Sequence, residues 1–174
     1  MATPSLADPN FERTVVLLVE HGPEGAVGLV LNRCSDVALD DVLPGWRRRA
    51  AEPPYVFWGG PVSPGALLCL GRAVGGGERP GFRPLLGDLG AVEVAEDVDA
   101  IAPDVVDLRL FSGYAGWGPQ QLEDEIREGA WFVLDARPDD GTSPRPQELW
   151  RVVLSRQPGT LAWLANFPND PSLN

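Results

Sequence analysis

Lysine is absent from this sequence, and histidine and cysteine are nearly so. All 14 basic residues are arginines, His21 is the single histidine, and Cys34 and Cys69 are the two cysteines. Without lysine the chain cannot form a Schiff base, supply a lysine general base or complete a phosphate-binding P-loop. Two widely spaced cysteines make neither a disulfide framework nor a zinc site. We therefore expect a reducing cytoplasmic environment and no metal or other cofactor.

Positive charge is also in short supply. The chain has 14 Lys and Arg against 25 Asp and Glu, a formal net charge of -11 and a pI of about 4.4. The longest basic run is Arg47–Arg49. Because such a chain repels a phosphate backbone, we expect no direct binding to nucleic acid.

Long apolar runs are missing as well. No stretch reaches the roughly 18 apolar residues of a membrane span. The first residues, MATPSLADPNF, have neither the basic start nor the apolar run of a signal peptide. We expect a cytoplasmic protein without a membrane partner. No pattern in the sequence specifies an oligomeric state.

The patterns that are present predict an α+β fold. A chain of 174 residues suits one domain, residues 1–174, with one well-buried core. Strands come first and then mix with helices, without a regular βαβα order, which favours a single compact domain around a large mixed β-sheet with a few flanking helices. The predicted strands are Val15–Val19 and Val27–Leu31, which form a hairpin around a turn at His21–Gly25, then the runs within YVFWGGPV, GALLCLGRAV, AVEVAED, VDLRLF and AWFVLDA.

Four helical segments are predicted between and after these strands. Ser35 or Asp36 would cap a short helix that ends before Pro44-Gly45. A second helix covers Gln120–Glu128 and ends at Gly129. In Gln147–Arg156 the apolar residues fall on one face, as in an amphipathic helix; they are Leu149, Trp150, Val153 and Leu154. A last helical piece covers Leu161–Asn166, and residues 75–81 and 137–146 are predicted loops.

The segment FSGYAGWGPQQLEDEI, Phe111–Ile126, is the densest in glycine. A strand, a glycine turn, a helix and the strand Trp131–Leu134 ending at Asp135 resemble half of a dinucleotide-binding unit. The glycines run G-x-x-G-x-G, however, which reverses the expected order, and the bulky Trp117 occupies the place where a pyrophosphate would approach. We therefore predict a turn that shapes the backbone and starts the helix, with ligand contact as the alternative.

Three further residues suggest catalysis, each with a simpler explanation. His21 beside Glu20 could act as an acid/base pair, or could be a solvated turn residue. Ser63 in GGPVSPG does not fit the G-x-S-x-G nucleophile motif. Cys34 beside Arg33 could have a lowered thiol pKa, or could be an unreactive, partly buried cysteine.

Four long motifs in order resemble the YqgE/AlgH family of bacterial proteins. They are PSLADPNFERTVVLLVEHGPEGAVGLVLNR, FWGGPV, FSGYAGWGPQQLEDEI followed by EGAW, and the closing FPNDPSLN. The resemblance runs from near the first residue to the last. It implies a single α+β domain on a large mixed sheet. Members are often labelled transcriptional regulators, but the resemblance provides no catalytic residues and no recognised DNA-binding helix.

We expect a non-enzymatic cytoplasmic protein that regulates through a protein or small-ligand partner, with any effect on transcription indirect. The alternative is an enzyme or nucleotide binder whose pocket is built from glycine-rich turns. Candidate residues for a ligand pocket come from the matching motifs. They are Asp8, Arg13, Glu20, His21, Asn32, Gly59, Gly60, Tyr114, Trp117, Gln121 and Glu123.

Overall fold

A computed structural model describes residues 1–95, 97–101 and 103–166 of the chain. The closing motif FPNDPSLN lies outside these residues. The described part contains eight strands and five α-helices. The strands are β1 (Val16–Gly22), β2 (Gly25–Val30), β3 (Cys34–Ala38), β4 (Tyr55–Trp58), β5 (Val62–Ala73), β6 (Phe82–Leu86), β7 (Leu89–Val92) and β8 (Val105–Trp117); the helices are α1 (Leu39–Val42), α2 (Gln121–Arg127), α3 (Pro138–Gly141), α4 (Leu149–Ser155) and α5 (Leu161–Leu164).

The eight strands form one sheet, and the predicted α+β class is confirmed. The main order is β1-β2-β8-β5-β7-β6, with β4 beside β8 and β3 beside β4. All of these pairs are antiparallel except β4 with β8, so the sheet is mixed but mostly antiparallel. None of the described helices is long and apolar enough to cross a membrane.

The first hairpin confirms its prediction, with a tighter turn than expected. β1 pairs with β2, and Gly22 lies opposite Gly25, so the connection is Pro23-Glu24 alone. His21 therefore belongs to β1 and lies opposite Ala26. The prediction of a turn beginning at His21 is wrong because the ladder continues past the apolar run.

The predicted glycine turn at residues 113–118 is wrong, because residues 113–117 belong to β8 and only Gly118 lies after it. This 13-residue strand runs without a break from Val105 to Trp117. Its first part pairs with β4 and β5, and its last three residues pair with β2. The helix α2 begins only at Gln121 and ends at Arg127, close to the predicted bounds.

Two segments of backbone, the connection from β4 to β5 and the strand β8, cross and touch each other within this sheet. β4 and β5 lie on opposite edges of β8, so the connection Gly59-Gly60-Pro61 must pass over β8. A Cβ on Gly60, where φ is 151°, would lie 2.1 Å from the carbonyl carbon of Tyr114. On the other chain, a Cβ on Gly113 would lie 2.5 Å from the Gly60 oxygen. Glycine permits this approach because it has no side chain.

The structure changes three further local predictions, two at helices and one at a strand. Ser35 lies in β3 and donates from Oγ to the Val56 oxygen at 2.6 Å, so it does not cap α1, whose cap is Ala38. The predicted loop at residues 137–146 contains the short helix α3. The half-buried strand predicted in AVEVAED is β7, which ends at Val92, and residue 96 lies outside the described residues.

The strand predicted for Trp131–Leu134 is also wrong. Trp131 forms a single antiparallel bridge with Ala2, and no strand continues after it. The β-forming composition of this run is not matched by a long enough neighbour, because Met1–Thr3 offers only three residues for pairing. The prediction for α4 is confirmed, since Leu149, Trp150, Val153 and Leu154 are all buried.

Candidate functional site

The sequence-predicted site residues fall into three groups. Asp8, Arg13 and Asn32 lie near the start of β1. Gly59, Gly60 and Tyr114 lie at the backbone crossing. Glu20, His21, Trp117, Gln121 and Glu123 lie together where the β1–β2 hairpin meets α2, and we call this third group the hairpin–helix face.

The residues of the first group hold the entry to β1. The Asn32 amide accepts from the Val15 N–H at 2.9 Å and donates to the Arg13 oxygen at 2.8 Å. Asp8 Oδ1 accepts from the Asn10 N–H at 2.7 Å. The Arg13 guanidinium lies 4.9 Å from the centre of the Trp150 ring, and burial together with the nearby Arg151 lowers its pKa. These contacts fix the loop before β1 against α4.

The second group has the structural role described at the crossing. Gly59 donates its N–H to the Ser112 oxygen at 2.9 Å, and its own oxygen accepts from the Val30 N–H at 2.9 Å. The Gly59 backbone therefore links β8 to β2 at the point where β4 ends. Tyr114 is partly buried and packs against the core cluster that includes Phe57 and Phe111.

An exposed hydrogen bond between two side chains joins the two elements of the hairpin–helix face. His21 Nε2 lies 2.6 Å from Glu123 Oε1, although the two residues are 102 positions apart in the chain. The side chains are 50% and 35% exposed. A carboxylate can only accept, so the imidazole donates, and this hydrogen bond lowers the pKa of Glu123.

Trp117 lies in the same cross-strand row of the sheet as His21. Ala26 is opposite His21 on β1 and opposite Trp117 on β8, so the three residues form one row across three strands. Directly opposite side chains share a face of the sheet, which explains why a histidine and a tryptophan so distant in sequence line the same hollow.

A carboxylate that sequence reasoning missed fixes Trp117. Glu125 Oε2 accepts from the indole Nε1 of Trp117 at 2.9 Å and from that of Trp131 at 2.7 Å. Its other oxygen accepts from the Gln121 amide at 2.9 Å. The four-residue spacing of Gln121 and Glu125 on a predicted helix was the available signal for part of this cluster.

The hairpin–helix face borders a hollow of ≈ 280 Å³ at the tip of the hairpin. Glu20, His21, Glu24 and Trp117 line it together with the turn residues between them. The lining carries two carboxylates and one imidazole above an indole. This arrangement suits a cationic or aromatic group of a partner, because the carboxylates attract positive charge and the indole offers an apolar surface.

A second residue that the sequence did not reveal is the buried Arg109. Its side chain is 1% exposed. Nη1 donates to the Ser143 oxygen at 2.9 Å and Nη2 to the Glu52 oxygen at 2.7 Å, and the guanidinium lies 4.3 Å from the centre of the Phe57 ring. Asp107, two residues earlier, is exposed, but an irregularity of β8 lies between the two residues, so the exposure of Asp107 does not indicate that of Arg109.

The two cysteines are free thiols, and neither has a lowered pKa. Burial raises the pKa of the Cys69 thiol to about 12 and also raises that of Cys34. The cation that partly opposes the rise at Cys34 is Arg109. The hypothesis of a Cys34 thiol activated by Arg33 is therefore wrong, because desolvation outweighs the nearby positive charge.

Comparison with known proteins gives consistent matches over the whole chain. A family model described as AlgH-like matches residues 1–162. The chain is 52% identical over 178 residues to a UPF0301 protein of Streptomyces coelicolor, across all of this chain and 92% of the relative. It is 44% identical over 177 residues to a UPF0301 protein of Mycobacterium avium, across all of this chain and 88% of the relative.

Two solved structures show the same fold. The crystal structure of a protein from Corynebacterium diphtheriae matches with a TM-score of 0.89 and 34% identity, covering 96% of this chain and 89% of the other. The solution structure of the AlgH protein from Pseudomonas aeruginosa matches with a TM-score of 0.67 and 30% identity, covering 98% of this chain and 92% of the other.

Proposed function

The chain belongs to the AlgH-like family, and from that premise we propose that it acts in the cytoplasm by binding a partner at its hairpin–helix face and not by catalysing a reaction. The partner is a protein or a small ligand, and any effect on transcription passes through it. The observation that supports this proposal most strongly is the exposed His21–Glu123 pair beside the ≈ 280 Å³ hollow.

The position of this pair favours recognition. A side-chain hydrogen bond between a hairpin and a helix fixes two surface elements relative to each other, and a prearranged surface loses less entropy on binding. Exposed pairs of this kind contribute little to stability, so the pair alone is a weak folding device. The His21–Glu123 pair lies beside the hollow, where it can orient a partner that binds there.

The roles of the other candidate residues support the same reading. The Asn32 amide is committed to the backbone of Val15 and Arg13, and Gly59 is committed to Ser112 and Val30. Gly60 approaches the Tyr114 backbone so closely that no ligand phosphate has room between them. These motif residues build the fold around the hairpin–helix face, and they do not support a nucleotide pocket at the glycines.

Charge indicates the chemistry of the partner. The formal net charge of -11 and the carboxylates of Glu20 and Glu24 at the hollow favour a partner that presents Lys or Arg. The two free cysteines are consistent with a reducing compartment, in keeping with the cytoplasmic location that we propose.

Reversing one charge at the hollow tests the proposal. Glu24→Arg changes an exposed residue of the hairpin turn, and Asp36→Arg makes the same change in charge on the exposed part of β3. Tagged wild-type protein and both variants are used for quantitative pull-down from native lysate, with native mass spectrometry for small ligands. We expect a partner retained by wild type and Asp36→Arg and lost by Glu24→Arg. A partner that Glu24→Arg retains fully, or repeated failure to find either a partner or a ligand, would contradict the proposal.

A further inference from the structure

The first three residues occupy a slot between β1 and the segment at residues 130–136. The Ala2 N–H donates to the Thr14 oxygen at 2.9 Å on the β1 side. On the other side Met1 and Phe132 exchange two hydrogen bonds of 2.8 Å, and the Thr3 N–H donates to the Ala130 oxygen at 2.9 Å. An extended backbone with hydrogen bonds on both sides therefore fits this slot.

Met1 also lines an open groove of ≈ 210 Å³ that lies between β1, α2 and residues 131–136. Its lining side chains are apolar, and two of them are exposed to solvent, with Leu18 44% and Val133 75% exposed. Trp117 and Trp131 are among its lining residues, and the Glu125 carboxylate accepts a hydrogen bond from each indole. The residues lining the groove are Met1, Val16, Leu17, Leu18, Trp117, Leu122, Ile126, Trp131, Phe132, Val133, Leu134 and Ala136.

Backbone groups of β1 face this groove. The Val15 oxygen accepts from Leu31, toward β2, whereas Val30, the partner of Val16, donates to Gly59 on its far side. Hydrogen-bonding direction alternates along an antiparallel strand, so the N–H and C=O groups of Val16 and Leu18 point to the open edge. The strand β1 is the last in the sheet order, so within the described residues it is an edge strand.

We propose that this groove binds an extended segment of a partner protein by β-strand addition. The segment lies between β1 and residues 131–136 and runs antiparallel to the backbone at Trp131, as Ala2 does. Main-chain hydrogen bonds to Val16 and Leu18 supply affinity, and alternate side chains enter the apolar groove. The proposal rests on the partner-binding function and adds a second contact region, a binding mode and a sequence class.

Charge selects a partner peptide over a second copy of this chain. Two copies, each with a net charge of -11, repel each other, while a segment carrying Lys or Arg is attracted. The expected segment alternates apolar residues and has basic residues beside them.

Selection from a displayed library of random peptides, each about ten residues long, tests this inference. Binders are selected on the wild-type chain and counter-selected on Leu18→Asp. The strongest is synthesised and its affinity measured by calorimetry, with Val133→Asp as a second groove variant in case Leu18→Asp is poorly folded. Val74→Asp is the matched control, because Val74 is 68% exposed and does not line the groove.

We expect selected peptides with alternating apolar residues, flanking Lys or Arg and no central proline. Their affinity should fall about tenfold in both groove variants, because an apolar contact is replaced by a buried charge, and change less than about twofold in Val74→Asp. A proline placed at the centre of the peptide should abolish binding, and amide NMR shifts should centre on Val16, Leu18 and Leu134.

Three outcomes would overturn the inference: no enrichment over Leu18→Asp, binding that both groove variants retain, or a wild-type dimer that the groove variants dissociate. The last would show that a second copy fills the groove. Loss of the partner in Glu24→Arg would still support the proposed function if the peptides fail, because Glu24 does not line the groove.

Discussion

At the scale of the residue, Arg109 holds two loops to the central strand. Its guanidinium donates to backbone oxygens at Glu52 and Ser143, and no carboxylate accepts from it among the hydrogen bonds of the described residues. Burial lowers its pKa, yet an arginine remains charged at neutral pH. Burying this cation costs desolvation free energy, which its hydrogen bonds to backbone carbonyls offset. Removing the side chain leaves those carbonyls unpaired and destabilises the fold.

Arg109→Ala should therefore destabilise the protein by about 3 kcal/mol, because it leaves two buried carbonyl oxygens unpaired and opens a cavity. The exposed Arg83 on β6 provides the matched control, and Arg83→Ala should cost less than about 0.5 kcal/mol. Urea unfolding measured by circular dichroism gives both values. Equal, small losses would show that Arg109 does not hold the loops.

The buried thiol of Cys69 gives a prediction about pH. Its pKa is raised to about 12 in the folded state, so the neutral form is favoured there. The resulting stability is fully present below the unfolded pKa of about 8.5 and is lost as pH rises toward the folded value, by about 2 kcal/mol between pH 8 and 10. The difference in unfolding free energy between wild type and Cys69→Ala should shrink by that amount. A constant difference would contradict the assignment, as would rapid reaction of native Cys69 with a thiol reagent at pH 8.

At the scale of the element, the crossing of Gly59-Gly60 over β8 explains two glycine motifs together. GGP and FSGYAGW are far apart in sequence, and their glycines meet because one backbone passes over the other. Neither motif predicts the crossing on its own. A glycine pattern in one segment reports freedom of the backbone and gives no information about which other segment approaches it.

Gly60→Ala should be far more costly than Gly45→Ala. Both glycines have positive φ, 151° and 85°, but a Cβ at Gly45 meets no atom within 4 Å while one at Gly60 collides with the Tyr114 backbone. We expect a loss of about 1 kcal/mol for Gly45→Ala from backbone strain, and more than about 3 kcal/mol or failure to fold for Gly60→Ala. Denaturant melts of the two variants decide this, and similar costs would show that the crossing tolerates a side chain.

Local patterns predicted those elements whose cause is local. The β1–β2 hairpin follows from two valine- and leucine-rich runs around a turn, and α4 follows from four apolar residues on one helical face. The run Trp131–Leu134 has the same local signal as a strand and is not one, because only Met1–Thr3 lies beside it. Strand formation needs a partner, and the sequence of one segment does not contain its partner.

At the scale of the whole molecule, the residues of the candidate site could be predicted from the sequence, whereas their arrangement in space could not. His21, Trp117 and Glu123 were all recognised as candidates from their motifs. Their meeting depends on the row His21–Ala26–Trp117 across three strands, which no spacing along the chain reveals. Glu125 and the open groove beside β1 were missed because they arise from packing of α2 and residues 131–136 on the sheet.

The sheet presents two candidate binding features side by side on an acidic molecule. The crossing and the core fix β1, β2 and β8, and these strands present the hairpin–helix face and an unpaired edge next to each other, with Trp117 shared between them. An acidic molecule that displays both features is suited to hold a basic partner.

Cross-linking from the hairpin turn tests the central claim most directly. A photoreactive amino acid is placed at Glu24, beside the hollow, and in a matched protein at Asp36 on β3, and both proteins are irradiated in native lysate. We predict a discrete adduct from position 24, absent from position 36 and weakened by His21→Ala, which removes the hydrogen bond to Glu123 that orients the face. No adduct from position 24, or identical adducts from both positions, would show that the hairpin–helix face is not where this protein binds its partner.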